Sequence, residues 1–126
     1  MTKLFQMLFL FTLIFSGSAL ATGQPFDQAK FDALQKEGRP IVVAVHADWC
    51  PTCRAQDPIL ADLLKQKEFQ DITALQVDFD KQKSIVKSFK VTYQSTLIVF
   101  KGGNEIARST GDTNKANIAA LLRKAL

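Results

Sequence analysis

Apolar and polar positions along the chain change period several times, and each change marks an element. Phe26, Ala29, Phe31 and Leu34 recur at helical spacing, so Asp27 to Gln35 is expected to form a short amphipathic helix, closed by Gly38 and Pro40. Ile41-Val42-Val43-Ala44-Val45 is apolar without alternation, the mark of a strand covered on both faces. Pro51 to about Gln66 returns to the helical period, with Ile59, Leu60, Leu63 and Leu64 on one side. Ile72 to Phe79 is expected to be a second strand, and Lys81 to Phe89 a short helix presenting Ile85, Val86 and Phe89. Thr96 to Lys101 reads as a third strand, which Gly102-Gly103-Asn104 turns into a fourth, Glu105 to Thr110. Asn114 to Leu126 closes the chain as a helix with Ile118, Leu121, Leu122 and Leu126 inward. The order α-β-α-β-α-β-β-α implies an α/β fold with a mixed central sheet flanked by helices.

The first residues follow a different pattern. Lys3 is followed by a nearly unbroken apolar run, Leu4 to Phe15, and then by Ser16-Gly17-Ser18 and Ala19-Leu20-Ala21. A positive start, an apolar stretch too short to span a bilayer and a small-x-small site make a cleaved signal peptide of residues 1–21. The domain is then expected to be 22–126, in the periplasm or another extracytoplasmic space. With 126 residues in all, there is room for one domain.

Composition excludes more than it suggests. The formal charge of +4 comes from scattered pairs such as Lys65/Lys67 and Lys81/Lys83, interleaved with acids and lacking an aromatic platform. That pattern fits solvated helix faces rather than a nucleic-acid surface. The chain has two cysteines, Cys50 and Cys53, and one histidine, His46. A bridge across two intervening residues restrains the unfolded chain very little, so the pair is better suited to chemistry than to scaffolding. A zinc site ordinarily needs four N or S ligands, more than one copy of this chain offers in Cys and His, so no metal and no cofactor are expected.

Trp49-Cys50-Pro51-Thr52-Cys53, placed between a buried strand and a helix, resembles the active site of the thioredoxin superfamily. The likeness extends over the rest of the domain. Pro58 stands where the family kinks this helix, and Asp80 where it has an acidic residue after the middle strand. Thr96 to Lys101 with Gly103 matches the third strand and its hairpin, and Gly111 the glycine near the site. The resemblance implies a thioredoxin fold and thiol–disulfide exchange, with Cys50 as nucleophile and Cys53 as the thiol that resolves the mixed disulfide. A helix start suits such a nucleophile, because free N–H groups and the macrodipole favour an anion, and Pro51 fits the first turn. Trp49 is expected to pack beside the thiols, with Pro51, Thr52 and Thr96 as supporting residues. His46 is expected to be a packed residue at the strand's end, with tuning of the thiols as the rival role, and Asp48 a solvated charge.

Three positions depart from the family pattern. Ala44 stands in place of a buried Asp that helps move the proton of the second cysteine, and Gln76 in place of its Lys partner, leaving water or His46 for that work. Ser95 replaces a cis-proline. A cis bond before a non-proline residue costs about 3–4 kcal/mol, so the Gln94–Ser95 bond is expected to be trans and the loop to differ. Ser95 also adds an N–H and a hydroxyl, which is expected to narrow the range of substrates; Ser95→Pro should then restore ordinary thioredoxin behaviour. The expected function is disulfide exchange with protein partners, by a monomer, as reductant or electron carrier rather than general oxidant. A membrane electron donor is a candidate partner, and no segment could form the client-binding insert that oxidants carry. The alternative is a non-catalytic binding module of the same fold, holding metal or an iron–sulfur cluster between subunits.

Overall fold

A computed structural model of the protein describes residues 23–126; the segment 1–21 read as a signal peptide lies outside them. Ten elements follow one another: β1 (Gln24–Pro25), α1 (Gln28–Lys36), β2 (Ile41–His46), α2 (Pro51–Leu64), a single 3-10 turn (Lys67–Phe69), β3 (Thr73–Asp78), α3 (Lys83–Ser88), β4 (Thr96–Lys101), β5 (Asn104–Thr110) and α4 (Lys115–Arg123). The strands form one mixed sheet in the order β1-β3-β2-β4-β5. β2 runs parallel to β3 and antiparallel to β4, so the two most apolar strands lie at the centre.

Alternation along those strands sorts the core into two layers. Val42, Ala44, Leu97 and Val99 point to the face covered by Leu60 and Leu63 of α2 and by Ile118, Leu121 and Leu122 of α4. Ile41, Val43, Val45, Leu75, Val77, Ile98 and Phe100 point to the other face, against Phe26, Phe31 and Val86. Side-chain caps set two helix starts: Asp27 accepts from the Lys30 N–H at 2.8 Å, and Asn114 from the Asn117 N–H at 3.0 Å. Pro58 lies inside α2, where it leaves the carbonyl of Arg54 without its usual helical donor.

Most elements match their expected ranges to within two residues, and β4 matches at both ends. The predicted helices at Pro51–Gln66 and Asn114–Leu126 stop earlier, at Leu64 and Arg123. Two elements were not foreseen. β1 pairs its two residues in parallel with Leu75 and Gln76. Gly23, just before it, sits so close to β3 that a Cβ would fall 2.5 Å from the Ala74 carbonyl oxygen. The other is the 3-10 turn, which carries Phe69 into the core.

Candidate functional site

The site is assembled where β2 ends and α2 begins. Cys50 is the N-cap of α2, with extended backbone, and its Sγ accepts the N–H of Cys53 at 3.1 Å. Pro51 follows in the first turn, where a missing N–H leaves no bond unmade. Both cysteines are reduced and buried, 5 % exposed at Cys50 and 1 % at Cys53. Cys50 is therefore less open than a freely presented nucleophile, and its sulfur must be reached along the protein surface. Cys53, Ala47 and Phe79 pack around it. Burial pushes the Cys53 thiol up to about 12, and the neighbouring Cys50 sulfur adds to the rise, while the backbones of Ala47 and Ser95 pull the other way. Burial thus favours the thiol form of Cys53.

Trp49 does not pack into the thiol cluster. It is 57 % exposed, and its indole N–H donates to Asp80 Oδ2 at 2.7 Å. The ring is thereby fixed as part of the surface beside Cys50. Asp48 is exposed as expected, but it is engaged: its Oδ1 lies 3.0 Å from His46 Nε2, and its main-chain oxygen accepts from Arg54 at 2.9 and 3.2 Å. His46 is half-buried between two carboxylates, because Asp57 of α2 brings Oδ2 to 2.8 Å from Nδ1. That second approach is off the axis of an aligned hydrogen bond and is a close polar contact.

The loop before β4 faces the sulfurs. The Gln94–Ser95 peptide is trans, as expected, and Ser95 sits in the left-handed region at φ 56°. Its N–H donates to the Val45 carbonyl at 2.8 Å, and its hydroxyl to the Gln94 carbonyl at 2.6 Å. Its own carbonyl accepts from the Gly111 N–H at 3.0 Å. Gly111 can serve there because its φ of 75° suits glycine. A proline at 95 could neither take this φ nor make the bond to Val45, so Ser95→Pro would require the loop to be rebuilt. Thr96 is buried and ties the strand start to both neighbours, donating to the Tyr93 carbonyl at 2.8 Å and meeting Thr110 Oγ1 at 3.0 Å. Thr52 and Pro51 lie on the first turn of α2, Pro51 exposed and Thr52 half-buried.

A residue that the sequence pattern did not single out holds this loop in place. Gln56 is 2 % exposed, one turn beyond Cys53 on α2. Its amide nitrogen donates to the Ser95 carbonyl at 3.1 Å and to the Asp112 carbonyl at 2.8 Å. Asp57 was missed as well. The two positions flagged as replaced, Ala44 and Gln76, are direct neighbours across β2 and β3, and Gln76 Oε1 is buried without a hydrogen-bond partner. Among the described residues, no three His, Cys, Asp or Glu side chains are placed to hold a metal ion.

A buried dithiol with one sulfur at a helix N-terminus and the other held protonated a turn inward defines a protein that exchanges two electrons by disulfide transfer. A thioredoxin family model matches residues 22–124. The chain is 33 % identical to a thioredoxin of Chlamydia pneumoniae over 94 residues, which is 75 % of this chain and 89 % of that protein. It is 35 % identical to thioredoxin H3 of Arabidopsis thaliana over 95 residues, 75 % of this chain and 78 % of that one. Among solved structures, Trxlp of Edwardsiella tarda superposes with a TM-score of 0.77 at 38 % identity, covering 79 % of this chain and 96 % of that one. The chain belongs to the thioredoxin family, and it is a thiol–disulfide oxidoreductase.

Proposed function

We propose that this protein is an exported thioredoxin that reduces, or carries electrons to, one or a few protein partners. The observation that carries the reading is the unequal pair: Cys50 Sγ accepts a backbone N–H at the helix start, while Cys53 stays a thiol up to about 12. Cys50 attacks the partner's disulfide and forms a mixed disulfide; Cys53 then displaces the partner, which leaves with two electrons. Export is supported by the Lys3, Leu4–Phe15 and Ala19-Leu20-Ala21 pattern. A reducing role is supported by the direct run of β3, α3 and β4, which leaves no inserted domain to hold unfolded clients. A narrow partner range is supported by the Gln94 carbonyl, which the Ser95 hydroxyl already occupies beside the sulfurs.

The test is Cys53→Ser, expressed with its whole N-terminal segment and recovered from the exported fraction. Intact-mass analysis should find a chain beginning at Thr22 and joined through Cys50 to one or two proteins. In the unaltered protein, equilibration with glutathione should place the Cys50/Cys53 couple nearer thioredoxin's potential of about −270 mV than the strong oxidant's of about −120 mV. A retained segment 1–21, or a potential at the oxidising end, would reject export or the reducing role respectively.

A further inference from the structure

Resolution of the mixed disulfide needs the proton of Cys53 to leave, and the site makes that hard. Burial is the largest cause that holds Cys53 as a thiol, and it persists when Cys50 is bonded to the partner. At the two replaced positions the sheet offers no base: Ala44 has a methyl group and Gln76 a neutral amide. The helix does offer one. Asp57 follows Cys53 by four residues on α2, which places the two side chains on one face with Cβ atoms about 5–6 Å apart. Its carboxylate is mostly buried, 16 % exposed, and lies 2.8 Å from the imidazole of His46, itself 15 % exposed.

The charges around that imidazole come from three elements. Asp48, in the loop after β2, holds Nε2; Arg54 of α2 binds the main-chain oxygen of Asp48. Asp78, beside His46 on β3, uses Oδ1 to accept the N–H groups of Asp80 and Lys81. Asp57 is thus the carboxylate on the Cys53 face of α2, and His46 joins it to the protein's edge.

We propose that Asp57, positioned by His46, accepts the proton of Cys53 as the mixed disulfide resolves. The inference rests on the exchange chemistry of Cys50 and Cys53. The S–H bond of Cys53 breaks, and its proton passes through one solvent water to an Asp57 carboxylate oxygen. The Cys53 sulfur forms a bond to Cys50 Sγ, and the bond between Cys50 Sγ and the partner's sulfur breaks. The partner sulfur leaves as a thiolate and takes a proton from solvent; the cysteine pair has lost two electrons and the partner's disulfide has gained them. Asp57 returns its proton to solvent by way of the His46 ring.

The experiment follows formation and decay of the mixed disulfide by rapid quenching, with a model disulfide peptide and the full-length reduced protein, from pH 6 to 9. In the unaltered protein the decay should change less than threefold across that range, because Asp57 then takes the proton without help from hydroxide. In Asp57→Asn it should be at least tenfold slower at pH 7 and should rise about tenfold per pH unit, since hydroxide must then take the proton. Formation of the mixed disulfide should stay within twofold in both. His46→Gln should show a smaller loss with a steeper pH profile than the unaltered protein, and Asp57→Glu should recover most of the flat profile. A tenfold rise per pH unit in the unaltered protein overturns the proposal without any variant, as does an Asp57→Asn decay that matches it at every pH. Absence of any mixed disulfide in the unaltered protein would instead strike at the exchange reaction itself.

Discussion

The layer beneath α1 and α3 and the junction around Cys53 are held together by opposite means. In the first, Phe26, Phe31, Phe89 and Phe100 meet ring to ring with centroids 5.0 to 5.7 Å apart, and polar side chains reach only its backbone, Gln82 at the Phe26 carbonyl and Arg108 at that of Phe89. Stability there comes from apolar area and from edge-on ring contacts, which tolerate small shifts. At the junction, loops from four parts of the chain converge with few large apolar groups between them. Hydrogen bonds from Gln56, Ser95, Thr96 and Gly111 hold them together. The aromatic layer supplies the free energy that lets the junction keep a left-handed serine and a buried amide. The junction supplies the geometry that the sulfurs need.

The largest expected effect tests the first half of that division. Phe31 touches three other rings and is 5 % exposed, so Phe31→Ala should cost about 3–5 kcal/mol of stability. Chemical denaturation measures it. Because the rings lie on the far side of the sheet from α2, the folded fraction should exchange disulfides at the unaltered rate. A specific loss of exchange in folded Phe31→Ala would show that the two regions are coupled.

A smaller loss of stability with a larger loss of function is expected at Gln56. Gln56→Met keeps the volume but removes the donor to the Asp112 and Ser95 carbonyls, at a cost of about 1–3 kcal/mol. The Ser95 carbonyl keeps its bond from Gly111, so the loop should loosen rather than unfold. Disulfide exchange should fall several-fold in protein that is still fully folded at 25 °C, as judged by denaturation and turnover on the same sample. Equal exchange in Gln56→Met and the unaltered protein would mean that the loop holds its shape without the amide.

The same division explains which parts were legible in the chain. β2 and β4 announce themselves through unbroken β-branched and apolar runs, and α2 through Pro51 and its leucines, because burial of whole faces imposes a period. Cys50 and Cys53 stand out by spacing alone. β1 has two residues, too few to carry any period, and is recognised only by its pairing with β3. Gln56 reads as an ordinary surface residue of a helix, since nothing local says that its two acceptors lie 39 and 56 residues away. Asp57 and His46 meet across eleven positions for the same reason, through the docking of α2 on β2. The bond from the Trp49 N–H to Asp80, 31 residues away, was likewise not legible in the chain. Polar contacts between distant segments leave no periodic trace.

Ser95 is where the comparison sharpens to its smallest expected effect. A non-glycine residue in the left-handed region costs about 1–2 kcal/mol, since Cβ crowds the following carbonyl oxygen. Ser95→Gly removes that crowding and keeps the N–H that donates to Val45. Two terms oppose the gain. The variant loses the hydroxyl bond to the Gln94 carbonyl, worth about 0.5–1.5 kcal/mol, and its unfolded chain has more freedom to surrender. The net change in stability should therefore lie within about 1 kcal/mol of zero, far below the effect at Phe31. Its functional consequence separates strain from selectivity. With the Gln94 carbonyl released and the backbone shape retained, Ser95→Gly should reduce an unspecific substrate such as insulin faster than the unaltered protein, at similar stability. If stability is unchanged and insulin reduction is also unchanged, the hydroxyl does not guard that carbonyl, and the partner range must be set elsewhere on the surface around Trp49.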